Sequence, residues 1–337
     1  MKERVHPFRG RTMAVTGGAG LIGSYLCDEV AAMDTRVVVI DDFSKGMRSN
    51  LVTCADRIEI REGDLENLPF AKEALADADV VFHLASRAYG IGYGQGHHLE
   101  TMAHNERITS NLMSALAESR PKHLVVASSS CVYRDDGPDT VREAPVFEGE
   151  PEMANWGYGW AKRFLEQKTS MLARETGIPV TIVRPFNIYG ERYRWVGAYS
   201  QAIPMLIKRI LDGEDPVVVW GSGRQRRTYL HAHDCARVMM RLAEMGYAAE
   251  PVNVGLKQTV SIKELVEMIC RVSGRSPEIA FDTTKPEGRF VKSADESRLR
   301  GVLGDFPIVT IELEDGLRRM LDWYGITFQA TRMPTDV

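Results

Sequence analysis

Tyr158 and Lys162 stand four residues apart, a spacing that places two side chains on the same face of a helix. A lysine ammonium in that position would lower the pKa of the phenol, and such a tyrosine can act as a base near neutral pH. Ser129 and Cys131 precede this pair, directly after a short apolar run. The Tyr–Lys spacing is common by itself, and its position after this run makes the four residues candidates for acid–base chemistry.

A glycine-rich turn near the N-terminus could hold a phosphate. Gly17, Gly20 and Gly23 follow an apolar run, and Leu21 and Ile22 begin a helical pattern among them. The glycines permit a tight turn, close approach of a pyrophosphate and close packing of helix on strand, while the free N–H groups of the helix N-terminus point at the phosphates. The turn therefore predicts a dinucleotide site.

Two acidic residues follow the next two apolar runs. Asp41 ends the second run, where a carboxylate would accept the hydroxyls of the adenosine ribose and repel a 2′-phosphate. NAD is therefore favoured over NADP. Asp64 fits either a contact to the adenine edge or a residue that forms a turn.

The elements that must position these residues alternate in type through the first half of the chain. Apolar runs predict buried strands, helical patterns lie between several of them, and this alternation is typical of βαβ units in a parallel sheet covered on both faces. The strands are expected at 13–16, 36–40, 58–60, 80–83, 123–127 and 181–183, and the helices at 21–33, 99–119 and 158–176.

After Gly190 the rhythm changes, and we expect a smaller α/β domain that binds the substrate. The predicted fold is a Rossmann-type, doubly wound parallel sheet with this second domain at its C-terminal side. The expected boundaries are 1–190 with a returning segment of about 225–258 for the first domain, and 191–224 with 259–330 for the second.

Composition excludes several classes of protein. The 337 residues are 44% hydrophobic and carry a net charge of −4, so no basic field is available for nucleic acid or a membrane surface. The five cysteines are widely spaced and no third ligand accompanies His231 and His233, so neither disulfides nor a metal site are expected. The N-terminus is too charged for a signal peptide and no apolar run approaches the ~20 residues of a membrane helix. A cytoplasmic location is expected.

Together these motifs resemble the extended short-chain dehydrogenase/reductase family of nucleotide-sugar enzymes, and the resemblance covers nearly the whole chain. It also includes Leu84 and Ala85 after the 80–83 run and Asn105 in the next helix. It implies an NAD cofactor contacted by these three residues, a nucleotide-diphosphate sugar as substrate, and a homodimer formed through helices 99–119 and 158–176.

The resemblance also implies catalytic roles. Ser129 would orient the sugar hydroxyl or carbonyl, and Tyr158 would take or give the proton of the C4 hydroxyl. Lys162 would hold the nicotinamide ribose and lower the pKa of Tyr158. On the nucleotide side, Asn187 would bind a diphosphate oxygen, and Arg227 and Arg289 match the diphosphate arginines of the family, which can each form paired charge-assisted bonds.

The residue at 131 separates the branches of the family. Dehydratases and decarboxylases carry an acid there, whereas Cys131 resembles the base that acts at C3 and C5 in GDP-mannose 3,5-epimerases and GDP-fucose synthases. A thiolate is an adequate base where nearby positive charge lowers its pKa. Gly92 and Tyr93 lie in a stretch that resembles the epimerase substrate loop. Gln201 stands where those enzymes have a Lys or His acid, and an amide cannot deliver a proton.

The sequence leaves the reaction open among related chemistries. The leading interpretation is a nucleotide-sugar epimerase most similar to the GDP-mannose 3,5-epimerases. Epimerisation of a UDP-sugar at C4 is the main alternative, and net oxidation or reduction of a nucleotide sugar is a third. A non-catalytic NAD-binding regulator on the same fold is a different class, disfavoured by the presence of Ser129, Tyr158 and Lys162.

Overall fold

The computed structural model describes residues 7–94, 96–197, 199–285 and 288–329. Its strands, in chain order, are β1 (Thr12–Thr16), β2 (Arg36–Asp41), β3 (Ile58–Glu62), β4 (Val80–His83), β5 (His123–Ala127), β6 (Thr140–Val141), β7 (Val180–Pro185), β8 (Ile188–Tyr189), β9 (Val217–Trp220), β10 (Arg226–Arg227), β11 (Leu230–His231), β12 (Val252–Val254), β13 (Val260–Ser261), β14 (Ile279–Asp282) and β15 (Val291–Ala294).

The helices are α1 (Leu21–Ala31), α2 (Leu68–Leu75), α3 (Ile91–Gly94), α4 (His98–Ser119), α5 (Trp156–Thr176), α6 (Ala202–Leu211), α7 (Ala232–Glu244), α8 (Ile262–Ser273), α9 (Ser297–Leu303) and α10 (Leu313–Tyr324). Short 3-10 helices lie at Arg48–Arg57, Ser130–Val132 and Met153–Asn155, and a π turn at Gly325–Gln329.

A seven-stranded parallel sheet in the order β12-β7-β5-β4-β1-β2-β3 forms the centre of the molecule. The inner strands are apolar on both faces because helices cover both sides: α1 and α7 pack over one face, and α2 and α4 lie against the other. The expected Rossmann-type α/β fold is thereby confirmed. The chain returns to this sheet late, since β12 pairs with β7.

The remaining elements form a second cluster beside the carboxyl ends of the sheet. β9 pairs with β14, and the apolar faces of α6, α8 and α10 enclose a separate core around Trp195 and Ile207. Helix α8 begins at a capping box in which Ser261 and Glu264 satisfy each other's backbone N–H groups. A small sheet in the order β13-β10-β15-β6 connects this cluster to the segment after β5.

His231 ends the short strand β11, which pairs with β8, and His233 lies in the first turn of helix α7. The His231 ring caps this helix by accepting from the His233 N–H at 3.2 Å. Within the described residues, no group of three or more His, Cys, Asp or Glu side chains could hold a metal ion. No helix in the same ranges has the length and apolar character needed to span a membrane.

Candidate active site

A cleft of about 730 Å³ opens at the carboxyl ends of β1, β4, β5 and β7 and continues towards the second cluster. Parallel strands place their following loops at one edge of a sheet, so residues far apart in sequence meet there. The predicted site residues that line the cleft are Gly17, Gly20, Leu21, Ile22, Gly23, Asp41, Asp64, Leu84, Ala85, Tyr93, Ser129, Cys131, Tyr158, Lys162, Asn187, Gln201 and Arg227.

The glycine turn has the geometry that a pyrophosphate needs. Gly17 has a φ of +68°, and a Cβ there would lie 2.7 Å from the Ala85 nitrogen. A Cβ on Gly23 would lie 2.2 Å from the Gly17 oxygen, so only glycine permits this close packing. Helix α1 has Gly20 as its N-cap and no side-chain cap, which leaves its N-terminus suited to an anion. These residues fit NAD.

Asp41 lies at the end of β2 and is 8% exposed. Its carboxylate accepts from the Ala19 N–H at 2.9 Å and the Phe43 N–H at 2.8 Å, so it also fixes the glycine turn. Burial raises the pKa of this carboxyl, while the two backbone donors oppose the rise. The carboxylate borders the cleft, where it could accept ribose hydroxyls.

Asp64 and Asn105, which were predicted to bind the cofactor, form hydrogen bonds with other residues of the protein. The Asp64 carboxylate accepts from the Arg87 guanidinium at 3.0 Å and from the Glu66 N–H at 2.8 Å, which is the turn-forming alternative. Asn105 is not among the residues that line the cleft. Its amide bonds to Ser86, to Thr101 and to both backbone groups of Arg87, so it holds the loop after β4.

Tyr158 and Lys162 lie together on α5, but their electrostatics differ from the expectation. The Lys162 Nζ lies 5.5 Å from the centre of the Tyr158 ring and donates to the Ala127 oxygen at 2.8 Å. Burial raises the pKa of Tyr158, and hydrogen bonds from Ser86 and Ser129 oppose this rise. Lys162 is not among the groups that lower the pKa of Tyr158, and burial and the nearby Lys45 lower the pKa of Lys162 itself to about 7.

Cys131 lies in the turn after β5, with its N–H donating to the Ser129 hydroxyl at 3.1 Å. The expectation of a lowered thiol pKa is wrong for this structure. Burial and the Glu152 carboxylate raise the pKa of Cys131 to about 12, although Lys292 and Ser129 oppose them. The positive charge that favours the thiolate is the Lys292 ammonium, but it is paired with the Glu152 carboxylate at 2.6 Å.

Most of the residues that were predicted to bind the substrate line the cleft. Asn187 adopts a φ of +41° and donates to the Thr228 oxygen at 3.0 Å, and Gln201 is the N-cap of α6. Gly92 lies in α3, and its contacts lie outside what the structure describes. Arg289 departs from the prediction and does not line the cleft. Its guanidinium donates to the carbonyl oxygens of residues 134, 137 and 138 at 2.7–3.4 Å and so binds the loop before β6.

Four residues that the sequence reasoning missed also border the cleft: Lys45, Ser86, Glu152 and Lys292. Lys45 donates to the Ala88 oxygen at 3.2 Å, and burial lowers its pKa to about 8. Ser86 follows the recognised Leu84-Ala85 pair, so its proximity to the site could have been inferred. Glu152 and Lys292 are 140 positions apart, and no local spacing signals their pairing.

Comparisons with known proteins agree with this geometry. The model of the NAD dependent epimerase/dehydratase family matches residues 13–255. UDP-N-acetyl-alpha-D-glucosaminuronate decarboxylase from Bacillus cytotoxicus is 28% identical over 92% of this chain and 96% of its own. GDP-mannose 3,5-epimerase 1 from Oryza sativa subsp. indica is 26% identical over 96% and 84%. The structure of UDP-glucuronic acid 4-epimerase from Bacillus cereus, with UDP-glucuronic acid and NAD, superposes with a TM-score of 0.79 at 27% identity, over 93% and 98%.

Proposed function

Since the chain belongs to the NAD dependent epimerase/dehydratase family, we propose that it is a nucleotide-sugar epimerase that inverts C3 or C5 of a GDP-hexose through a transient 4-keto sugar. The family uses NAD and acts on nucleotide sugars through epimerisation, elimination or reduction. The choice among these reactions rests on the residues that face the sugar in the cleft.

The common step is oxidation at C4. NAD, when bound, would supply the acceptor for the C4 hydride and the donor that restores it. Tyr158 removes the proton of the C4 hydroxyl, and the hydroxyls of Ser129 and Ser86 lower the pKa of the phenol against the effect of burial. Lys162, fixed by the Ala127 oxygen, lies where it can bind the nicotinamide ribose. Asp41 would accept hydrogen bonds from the adenosine ribose hydroxyls.

The observation that carries the proposal is the position of Cys131 in the same cleft as Tyr158, two residues after Ser129. A 4-keto group acidifies the C–H bonds at C3 and C5, and a thiol is then able to exchange protons with those carbons. Arg227 and Asn187 border the part of the cleft assigned to the diphosphate. The amide of Gln201 cannot supply a proton, so we expect proton exchange to be faster at one of the carbons C3 and C5 than at the other.

The decisive experiment is incubation with GDP-, UDP-, CDP- and dTDP-sugars in deuterated water, followed by NMR. Deuterium at C3 or C5 of a GDP-hexose supports the proposal, because those positions exchange only through carbanion chemistry. Inversion at C4 without deuterium in the ring would instead establish 4-epimerisation. Net formation of NADH or NAD in proportion to product would establish a dehydrogenase or reductase.

A second candidate, 4-epimerisation of a UDP-sugar, is favoured by two features of the cleft. The pKa of the Cys131 thiol is raised to about 12, and residue 201 is an amide. The solved structure of the Bacillus cereus enzyme, which is 27% identical, is a 4-epimerase with a UDP-sugar. In that reaction the ketone rotates between two faces, and Cys131 would only line the wall beside the ring.

A further inference from the structure

A buried ion pair forms part of the cleft wall beside Cys131. The Lys292 ammonium donates to the Glu152 carboxylate at 2.6 Å, and the two side chains are only 3% and 10% exposed. Both residues line the cleft, together with Cys131. Burying two charges costs several kcal/mol of desolvation that their attraction repays only in part, so such a pair is weak evidence of a stabilising role.

Backbone contacts hold the Glu152–Lys292 pair near the Cys131 segment. The Glu152 N–H donates to the Cys131 oxygen at 3.3 Å, just before α5. A Cβ on Gly159 would lie 2.7 Å from both the Cys131 oxygen and the Pro151 Cβ, so α5 packs closely on both segments. Lys292 is held on β15, which pairs with β10 on one side and β6 on the other.

The two charges have opposite effects on the thiol. Glu152 disfavours the Cys131 thiolate through repulsion, and Lys292 favours it through attraction. Because Lys292 is bound to Glu152, its effect is largely cancelled. Lys292 in turn lowers the pKa of Glu152 to about 2 despite burial, so the carboxylate remains ionised. The groups that act on the thiol or on this pair come from several elements: Ser129, Glu152, Tyr158, Lys162, Arg227 and Lys292.

We propose that Glu152 and Lys292 are positioning residues that set the protonation state of Cys131. Glu152 keeps the resting thiol protonated, both by repelling the thiolate and by binding Lys292, the cation that would otherwise favour the thiolate. This deepens the proposed function and rests on it for its catalytic meaning, since it names what controls the acid–base group facing C3 and C5. Its test uses thiol chemistry alone, so it can fail while the epimerase proposal stands, and the reverse.

The experiment measures alkylation of Cys131 by iodoacetamide as a function of pH in the full chain with its bound cofactor. Peptide mass spectrometry resolves this cysteine from the others. The thiolate is the reactive form, so below its pKa the rate changes about tenfold for each unit of pKa shift. We expect Glu152→Gln to accelerate alkylation at pH 8 by about tenfold or more, and Lys292→Met to slow it about threefold or more.

The double variant separates charge from loosening of the cleft. If Lys292 supplies the activating charge, Glu152→Gln with Lys292→Met should return close to the wild-type rate. Equal acceleration in the single and double variants would overturn the proposal, because it would mean greater access of the reagent. An unchanged profile in Glu152→Gln would overturn it too.

Two further variants guard against failure to fold. Glu143→Gln removes another buried carboxylate, which accepts from the Asn253 N–H at 2.9 Å, and its alkylation profile should match the wild type. Lys292→Arg keeps the positive charge and should also keep the profile. A shift in Lys292→Arg as large as that in Lys292→Met would contradict a role for the charge.

Discussion

The Lys162 Nζ lies 5.5 Å from the centre of the Tyr158 ring and is anchored to the Ala127 oxygen at 2.8 Å. The anchor holds a buried ammonium at the end of β5, one helical turn from the phenol. In this arrangement Lys162 is placed to bind and orient, and the hydroxyls of Ser86 and Ser129 are the groups that support the tyrosinate.

Tyr158→Phe should lower turnover by ~10² or more, the usual scale of lost acid–base catalysis. The ring is retained and the phosphate turn is untouched, so NAD should still bind. Steady-state kinetics with the active sugar and titration of the cofactor measure both effects. Tyr247→Phe is the control, because that hydroxyl bonds to the Glu250 oxygen at 2.8 Å outside the cleft. Turnover near that of the wild type would contradict the assigned role.

Local patterns were sufficient for the sheet and the phosphate turn. The runs at 80–83 and 123–127 agree with the structure because each apolar stretch is short and bounded by turn residues. Gly17, Gly20 and Gly23 were recognisable because their constraint is local: a Cβ would strike backbone within the same turn or the adjacent loop.

The electrostatics of the site could not be predicted in the same way. The pKa of Cys131 depends on Glu152 and Lys292, which approach it from distant segments, and on burial, which no spacing encodes. Arg289 was assigned to the diphosphate by its motif alone. Its carbonyl partners lie more than 150 positions away, so its true surroundings became visible only in the folded chain.

Asp41→Ala should reduce the preference for NAD over NADP, because the carboxylate that would repel a 2′-phosphate is removed. The variant also loses the acceptor for the Ala19 and Phe43 N–H groups, so affinity for both cofactors should fall. Asp41→Asn is the matched variant, since it keeps an acceptor oxygen and removes only the charge. Calorimetric titration with both dinucleotides gives the ratio. A wild-type protein that prefers NADP would show that Asp41 is misassigned.

Arg227 and Arg289 should behave differently when replaced. Arg227→Ala should raise the KM for a nucleotide sugar roughly 10–150-fold, the equivalent of about 1.5–3 kcal/mol for a lost hydrogen bond to a charged group. Arg289→Ala should instead lower the midpoint of thermal unfolding, because three carbonyl oxygens lose their donor. Its KM should change by no more than about threefold, since this side chain does not line the cleft. A larger change in KM for Arg289→Ala would restore the diphosphate role.

We predict that α4 and α5 form a homodimer interface through their exposed apolar side chains. Leu99 on α4 is 82% exposed and Met171 on α5 is 50% exposed. Leu99→Glu should shift the protein towards the monomer in light scattering after size exclusion, because a charge would be buried at the interface. Val52→Glu is the control, since Val52 is 72% exposed on a different surface. A monomeric wild-type protein would rule out this interface.

Cys131→Ala separates the two roles available to this thiol. If the sulfur exchanges protons at C3 or C5, the variant should incorporate no deuterium into the sugar ring, while hydride transfer at C4 survives because Ser129, Tyr158 and Lys162 remain. If the thiol only fills space, the free energy of unfolding should fall by ~1–3 kcal/mol and exchange should persist. Cys270→Ala, at a half-buried thiol on α8, is the control for cysteine replacement.

Gln201→Lys completes this comparison, because it introduces an acid at the start of α6 where the amide side chain borders the cleft. An added proton donor on a second side of the ring should increase deuterium incorporation at the slower of the two carbons. NMR integration at C3 and C5 separately, for the wild type, Cys131→Ala and Gln201→Lys, gives the answer. Ring exchange that is absent from all three proteins with every nucleotide sugar would reject epimerisation at C3 and C5. The cleft would then be best explained by chemistry at C4 alone, with Cys131 and Gln201 as walls beside the ring.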